Sequence, residues 1–89
     1  MAQPRKRYVT VAGRVWRLKF CRIKDAWGEC DPPGEGAEIR IHAGLPDEKL
    51  AETLIHEMLH AADFRLPENI VDQFSRDVAR ALCDLGYHR

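Results

Sequence analysis

The sequence predicts an α+β fold in which a small antiparallel three-stranded sheet is followed by a helical hairpin. The period of the apolar residues carries this reading. In short runs up to His42 they alternate with polar residues, as in half-buried strands. From Pro46 onward they recur at three- and four-residue spacing, as on one face of a helix. Length sets the scale: 89 residues, 45% hydrophobic and 31% charged, suit one domain spanning 1–89 with a modest core.

The elements follow in order. Tyr8-Val9-Thr10-Val11 and Val15-Trp16-Arg17-Leu18-Lys19-Phe20 are rich in β-branched and aromatic residues, with Ala12-Gly13 between them. Gly13 supplies the positive φ of a tight turn, so the two runs predict a hairpin. Residues 25–36 hold Asp31-Pro32-Pro33-Gly34 and two further glycines, and they read as a loop. Glu38-Ile39-Arg40-Ile41-His42 alternates again and gives the third strand. Leu50, Thr53, Leu54, Met58 and Ala61 define a helix over residues 47–63, with Asp47 and Glu48 in its first turn. Leu66-Pro67 interrupts the pattern, and Pro67 suits the start of a second helix. There Ile70, Val71, Phe74, Val78, Leu82 and Leu85 form the expected packing stripe, and Gly86 is the expected C-cap.

Fourteen basic residues balance fourteen acidic ones, so no overall field favours nucleic acid or an anionic membrane. The balance is uneven, because residues 1–24 hold eight Lys or Arg and no acid. The run Arg5-Lys6-Arg7 reads as a frayed basic N-terminus over residues 1–6, with nucleic-acid contact as the sharper alternative. No apolar stretch nears the roughly 20 residues that cross a bilayer, and no signal peptide is discernible. A cytoplasmic protein of a bacterial host or prophage is expected. Cys21, Cys30 and Cys83 are odd in number and form no Cys-x-x-Cys pair, which suits reduced thiols.

The chemistry is concentrated in His56-Glu57-Met58-Leu59-His60. Four residues make about one helical turn, so His56 and His60 project from one face and can reach one ion. Neutral imidazoles hold Zn²⁺ at about 2.0–2.1 Å. Glu57, one position round from His56, lies beside the ion and can take a proton from a metal-held water. One Zn²⁺ per chain is therefore expected. A catalytic zinc needs a third protein ligand. Asp63 is three residues beyond His60 and must reach back a turn, or else orient a ligand. Glu68 and Asp72 stand a turn apart at the start of the second helix. Glu68 has a simpler task against the helix dipole, whereas Asp72 borders the apolar residues Val71 and Phe74.

Thr53-Leu54-Ile55-His56-Glu57-Met58-Leu59-His60-Ala61 resembles the active-site helix of zincin metallopeptidases. Val71-Asp72-Gln73-Phe74-Ser75 resembles the second helix of gluzincins, which implies Asp72 as third ligand with Asp standing where Glu is usual. Glu68 with Asp72 also resembles the gluzincin pair of a Glu ligand and, four residues on, an Asp that orients a histidine. The preferred ligand set is therefore His56, His60 and Asp72, with Glu68 as the alternative and Asp63 behind it. From Tyr8 to Tyr87 the chain is similar to very small SprT-like, metallopeptidase-type proteins of phage and prophage genomes. These share the hairpin, a Cys-Asp-Pro-Pro-like loop (Cys30 to Pro33) and a Leu-Gly-Tyr ending (Leu85 to Tyr87).

Other residues have plainer expectations. His42 and His88 read as structural or solvent-facing, Tyr87 as packing near the C-cap, and Trp16 and Trp27 as core and loop packing. If Glu38–His42 were a free sheet edge beside the metal, it would pair with an extended peptide. The resulting expectation is a zinc metallopeptidase acting on a peptide or protein, with Glu57 as general base and acid. The alternatives are a non-catalytic zinc-binding interaction module, in which the ion staples a small core, and a nucleic-acid-associated protein, which the zero net charge disfavours.

Overall fold

A computed structural model describes residues 7–87; Arg5 and Lys6 of the basic run, and His88, lie outside the described residues. The element order is β1 (Arg7–Val11), β2 (Arg14–Cys21), β3 (Gly28–Cys30), β4 (Glu38–His42), α1 (Asp47–Ala62) and α2 (Glu68–Asp84). The α+β class and both helices agree with the sequence reading.

The hairpin is antiparallel, with Val11 opposite Arg14 across a two-residue turn. Ala12 and Gly13 both adopt positive φ, 50° and 77°, as in the type I′ turn that matches strand twist. Along β2 the side chains alternate: Trp16, Leu18 and Phe20 turn inward, while Val15, Arg17 and Lys19 are exposed.

The sheet differs from expectation in two ways. It has four strands in the order β1-β2-β4-β3, and β2 pairs with β4 in parallel. The extra strand, β3, forms inside the segment expected to be a loop. Gly28-Glu29-Cys30 has no β-branched residue and no usable periodicity, so nothing local marks it as a strand. It is set by tertiary partners instead. Arg40 on β4 binds Glu29 (3.2 Å), Asp31 (2.6 Å) and Glu38 (3.1 Å). Asp31 Oδ2 also accepts the Glu38 N–H at 3.1 Å, and the Arg40 guanidinium holds the Asp31 carboxyl below its usual range. The second correction concerns the edge. Glu38–His42 is interior, flanked by β2 and β3, so the free edge on this side belongs to β3.

The core lies between the sheet and α1: Val11, Trp16, Ile39, Ile41, Leu45 and Ala61 are buried, with Leu50, Leu54 and Met58 packed against them. Among the described residues α2 packs against α1 and against no strand. It turns Val71, Ser75 and Ala79 inward, with Val78 and Leu82 half-buried, and leaves Ile70, Phe74 and Leu85 exposed. The expected stripe is thus split, because only one arc of α2 has a neighbour. The helix ends as anticipated. Gly86 has φ +87°, the Tyr87 N–H reaches Leu82 O (2.8 Å) and the Gly86 N–H reaches Cys83 O (3.0 Å), a Schellman closure. Tyr87 itself is exposed and does not pack there. No described helix is long and apolar enough to cross a membrane.

Candidate metal centre

α1 places His56 and His60 one turn apart, with their Nε2 atoms 3.1 Å from each other. The turn at residues 63–67 brings the first turn of α2 against them. Glu68 Oε1 lies 3.0 Å from His56 Nε2, and Oε2 lies 3.1 Å from His60 Nε2. One ligand atom from each of these three residues falls within a 4.8 Å span. Helix geometry explains why Glu68 arrives here. At 100° per residue, Glu68, Ser75 and Ala79 lie within about 40° of one another, and Ser75 and Ala79 are the buried face toward α1. Glu68 continues that line at the helix start, and its longer side chain covers the remaining distance.

Asp72 takes a different place from the one preferred on sequence. Its Oδ1 is 3.1 Å from His56 Nδ1, on the opposite side of the ring from the cluster. Glu68, and not Asp72, is thus the carboxylate that lies against both Nε2 atoms. Asp63 stands apart. It ends α1, where its backbone N–H bonds to Leu59 O, and its carboxylate is held by Arg65 at 3.0 Å. His42 also lies away from the cluster, its Nδ1 accepting the Ile23 N–H at 3.0 Å.

The donor chemistry suits a cation. A carboxylate only accepts hydrogen bonds, so Asp72 fixes the proton of a neutral His56 on Nδ1 and leaves the Nε2 lone pair facing the cluster. That lone pair meets a second imidazole nitrogen and the Glu68 carboxylate. The two imidazoles and the carboxylate can share a proton among themselves, and a metal cation can take the place of that proton. Two imidazoles and one carboxylate are also a donor set that catalytic zinc takes, with one position left open. Glu68 is 63% exposed and the histidines about one-fifth, so the cluster is open to solvent on the α2 side.

Glu57 is buried beneath β3, next to the two histidines. Burial pushes its carboxyl above the usual range, and the nearby His56 and His60 partly oppose this. The sheet presses closely on it at Gly28. A Cβ at that position would meet Thr53 Cγ2 at 2.8 Å and Glu57 Cγ and Oε2 at 3.0 Å. Gly28 therefore lets β3 lie directly over Glu57, a role that no motif announces.

A cleft of about 210 Å³ opens beside the cluster, lined by Trp27 and Gly28, by Lys49, Glu52, Thr53, His56 and Glu57 of α1, and by Asp72. Trp27 is exposed in this wall. Nothing local marks this role, since loop packing and cleft lining look alike in an irregular segment. No protein-family model, curated protein or solved structure matches this chain.

Proposed function

We propose that the chain is a zinc-dependent metallopeptidase, with His56, His60 and Glu68 holding one Zn²⁺ and Glu57 acting as general base and acid. One observation carries this reading: two imidazole nitrogens and a carboxylate converge within 4.8 Å while a buried carboxylate stands beside them. A site serving only as a staple has no use for that second carboxylate. Zinc, when bound, supplies Lewis acidity that polarises a substrate carbonyl and acidifies a water molecule.

The chain's own residues do the rest. Asp72 keeps His56 Nδ1 protonated, so that Nε2 presents its lone pair. Glu57 takes a proton from the attacking water and returns it to the departing amine nitrogen. Burial and the close cover of Gly28 hold that carboxylate in place and raise its basicity. β3 offers its free edge to an extended peptide, whose backbone would run across the mouth of the cleft.

Glu57→Gln tests the proposal. Wild-type protein with one bound zinc should hydrolyse an unstructured protein substrate. The variant should keep the zinc and lose at least about 100-fold in rate, the scale of general acid–base catalysis. A variant that retains most of the rate would overturn the role of Glu57. A zinc-free wild type whose stability does not respond to added zinc would overturn the metal site itself.

A further inference from the structure

We infer that the cleft beside the metal cluster is a specificity subsite for a basic side chain, arginine or lysine, recognised by Trp27 and Glu52. This rests on the reading of the cluster as a peptidase site and adds the substrate class. The Trp27 ring is a fixed platform. It precedes β3 directly, and its carbonyl accepts the His42 N–H at 2.7 Å. The His42 ring meets it edge-on at 5.8 Å, and that ring is itself locked by the Ile23 N–H on Nδ1. The indole is thereby held while remaining 54% exposed.

The cleft already shows what such a platform binds. The Lys49 ammonium stands 5.6 Å from the Trp27 ring centroid and 3.2 Å from Glu52 Oε2. An aromatic face with a carboxylate at its rim is the pairing that selects an ammonium or guanidinium. Lys49 holds the position weakly. Its ring distance is near the outer limit of a cation–π contact, and its ion pair with Glu52 is an i,i+3 pair with a side chain 37% exposed. On a flexible four-carbon stem it can swing to solvent when a substrate cation arrives. The surrounding charge points the same way. Glu52, Glu57 and Asp72 line the cleft against Lys49 alone. Residues 25–89, which include every residue lining the cleft, carry all fourteen acids of the chain against six basic residues.

Gly28 gives the subsite its access. Gly28 lines the same cleft as Trp27, Glu52 and His56, so a peptide paired along the outer edge of β3 passes beside both the subsite and the cluster. The residue bound there is near the bond to be cut, so the subsite sets cleavage preference and not merely affinity.

The test uses blocked alanine–serine heptapeptides with a single central arginine, citrulline or glutamate. Binding to the zinc-loaded protein is measured by calorimetry, and hydrolysis is measured separately as kcat/KM. The arginine peptide should bind about tenfold tighter than its neutral citrulline isostere, the scale of a partly desolvated cation–π contact with a carboxylate. Glu52→Gln and Trp27→Leu should each remove most of that preference. Lys49→Met should have the opposite sign, strengthening arginine binding several-fold by removing the internal competitor. Zinc content should be the same in all three variants. Arginine-selective binding without hydrolysis would leave the subsite standing and overturn the peptidase reading. Equal hydrolysis of all three peptides, unmoved by Glu52→Gln, would do the reverse. A preference for the glutamate peptide that Lys49→Met abolishes would overturn the inference by assigning the cleft to acidic residues.

Discussion

The two sides of α1 are held by different physics. Toward the sheet, Leu50, Leu54, Met58 and Ala61 meet Trp16, Ile39 and Ile41 in the apolar core, and the strands behind are cross-linked by backbone pairing. Toward α2 the contact is narrower. Val71, Ser75 and Ala79 face α1, two of them small, and the Ser75 hydroxyl is fully buried without a hydrogen-bond partner among the described residues. No strand backs α2. The N-terminal end of this seam is closed by His56, His60, Glu68 and Asp72. The sheet side is therefore a hydrophobic core, whereas the α2 side ends in a polar cluster whose groups can share a proton or a cation. A metal held by His56, His60 and Glu68 would tie the two helices together.

The largest effect should come from breaking the sheet side. Ile41 is fully buried, and Ile41→Ala should cost about 2–5 kcal/mol, as large-to-small core changes do. Urea denaturation should show this loss with or without metal. A loss under 1 kcal/mol would mean that the sheet–α1 layer is not the main core.

Zinc removal should break the other side selectively. At free zinc about 100- to 1,000-fold above Kd, binding contributes about 2.7–4.1 kcal/mol to stability. Chelation should therefore speed amide exchange throughout α2, while β2 and β4 exchange as before. Uniform acceleration across both layers would show that the two sides form one cooperative unit.

The third prediction separates the two carboxylates of the seam. Asp72 acts through Nδ1 of His56, so Asp72→Asn should weaken zinc by about 10- to 100-fold, the usual scale for a partner that orients a ligand. Glu68→Ala should weaken it more. A zinc competition titration at fixed pH in which Asp72 matters more than Glu68 would restore the sequence-based order.

The smallest effect is alkaline and belongs to the sheet side. Burial, together with the nearby carboxylates of Glu57 and Asp31, pushes the Cys30 thiol up from 9.0 to about 11. Between those pH values the unfolded chain releases a proton that the folded chain retains. Stability should therefore fall as pH rises from 9 to 11, with no contribution from Cys30 below pH 9. Cys30→Ala should flatten that slope when metal-free protein is unfolded in urea at pH 8 and pH 10. An identical slope in the variant would assign the alkaline loss to other groups.

What the sequence determined by itself is local. Ala12-Gly13 marks a hairpin, because Gly13 takes a positive φ without steric cost. The change of period after Pro46 dictates two helices, and Pro67 and Gly86 bound the second. The spacing of His56 and His60 puts two imidazoles on one helix face, with Glu57 turned aside from it. Each follows from bonds and neighbours within a few residues.

What the tertiary structure decided is which surfaces meet. Gly28-Glu29-Cys30 becomes a strand only because Arg40, Asp31 and Glu38 hold it to β4. That addition makes Glu38–His42 interior, and it lays β3 on Glu57 and Trp27 against the cleft. The exchange of Glu68 and Asp72 has the same origin. Ile70 and Phe74 look like packing residues in one dimension, yet α2 presents Val71, Ser75 and Ala79 to α1. That rotation of the helix carries Glu68 to the two Nε2 atoms and Asp72 to Nδ1. Apolar periodicity tells a helix that it has a buried face. When the apolar arc is wider than the one neighbour available, only packing against that neighbour fixes the angle, and with it which carboxylate joins the two Nε2 atoms.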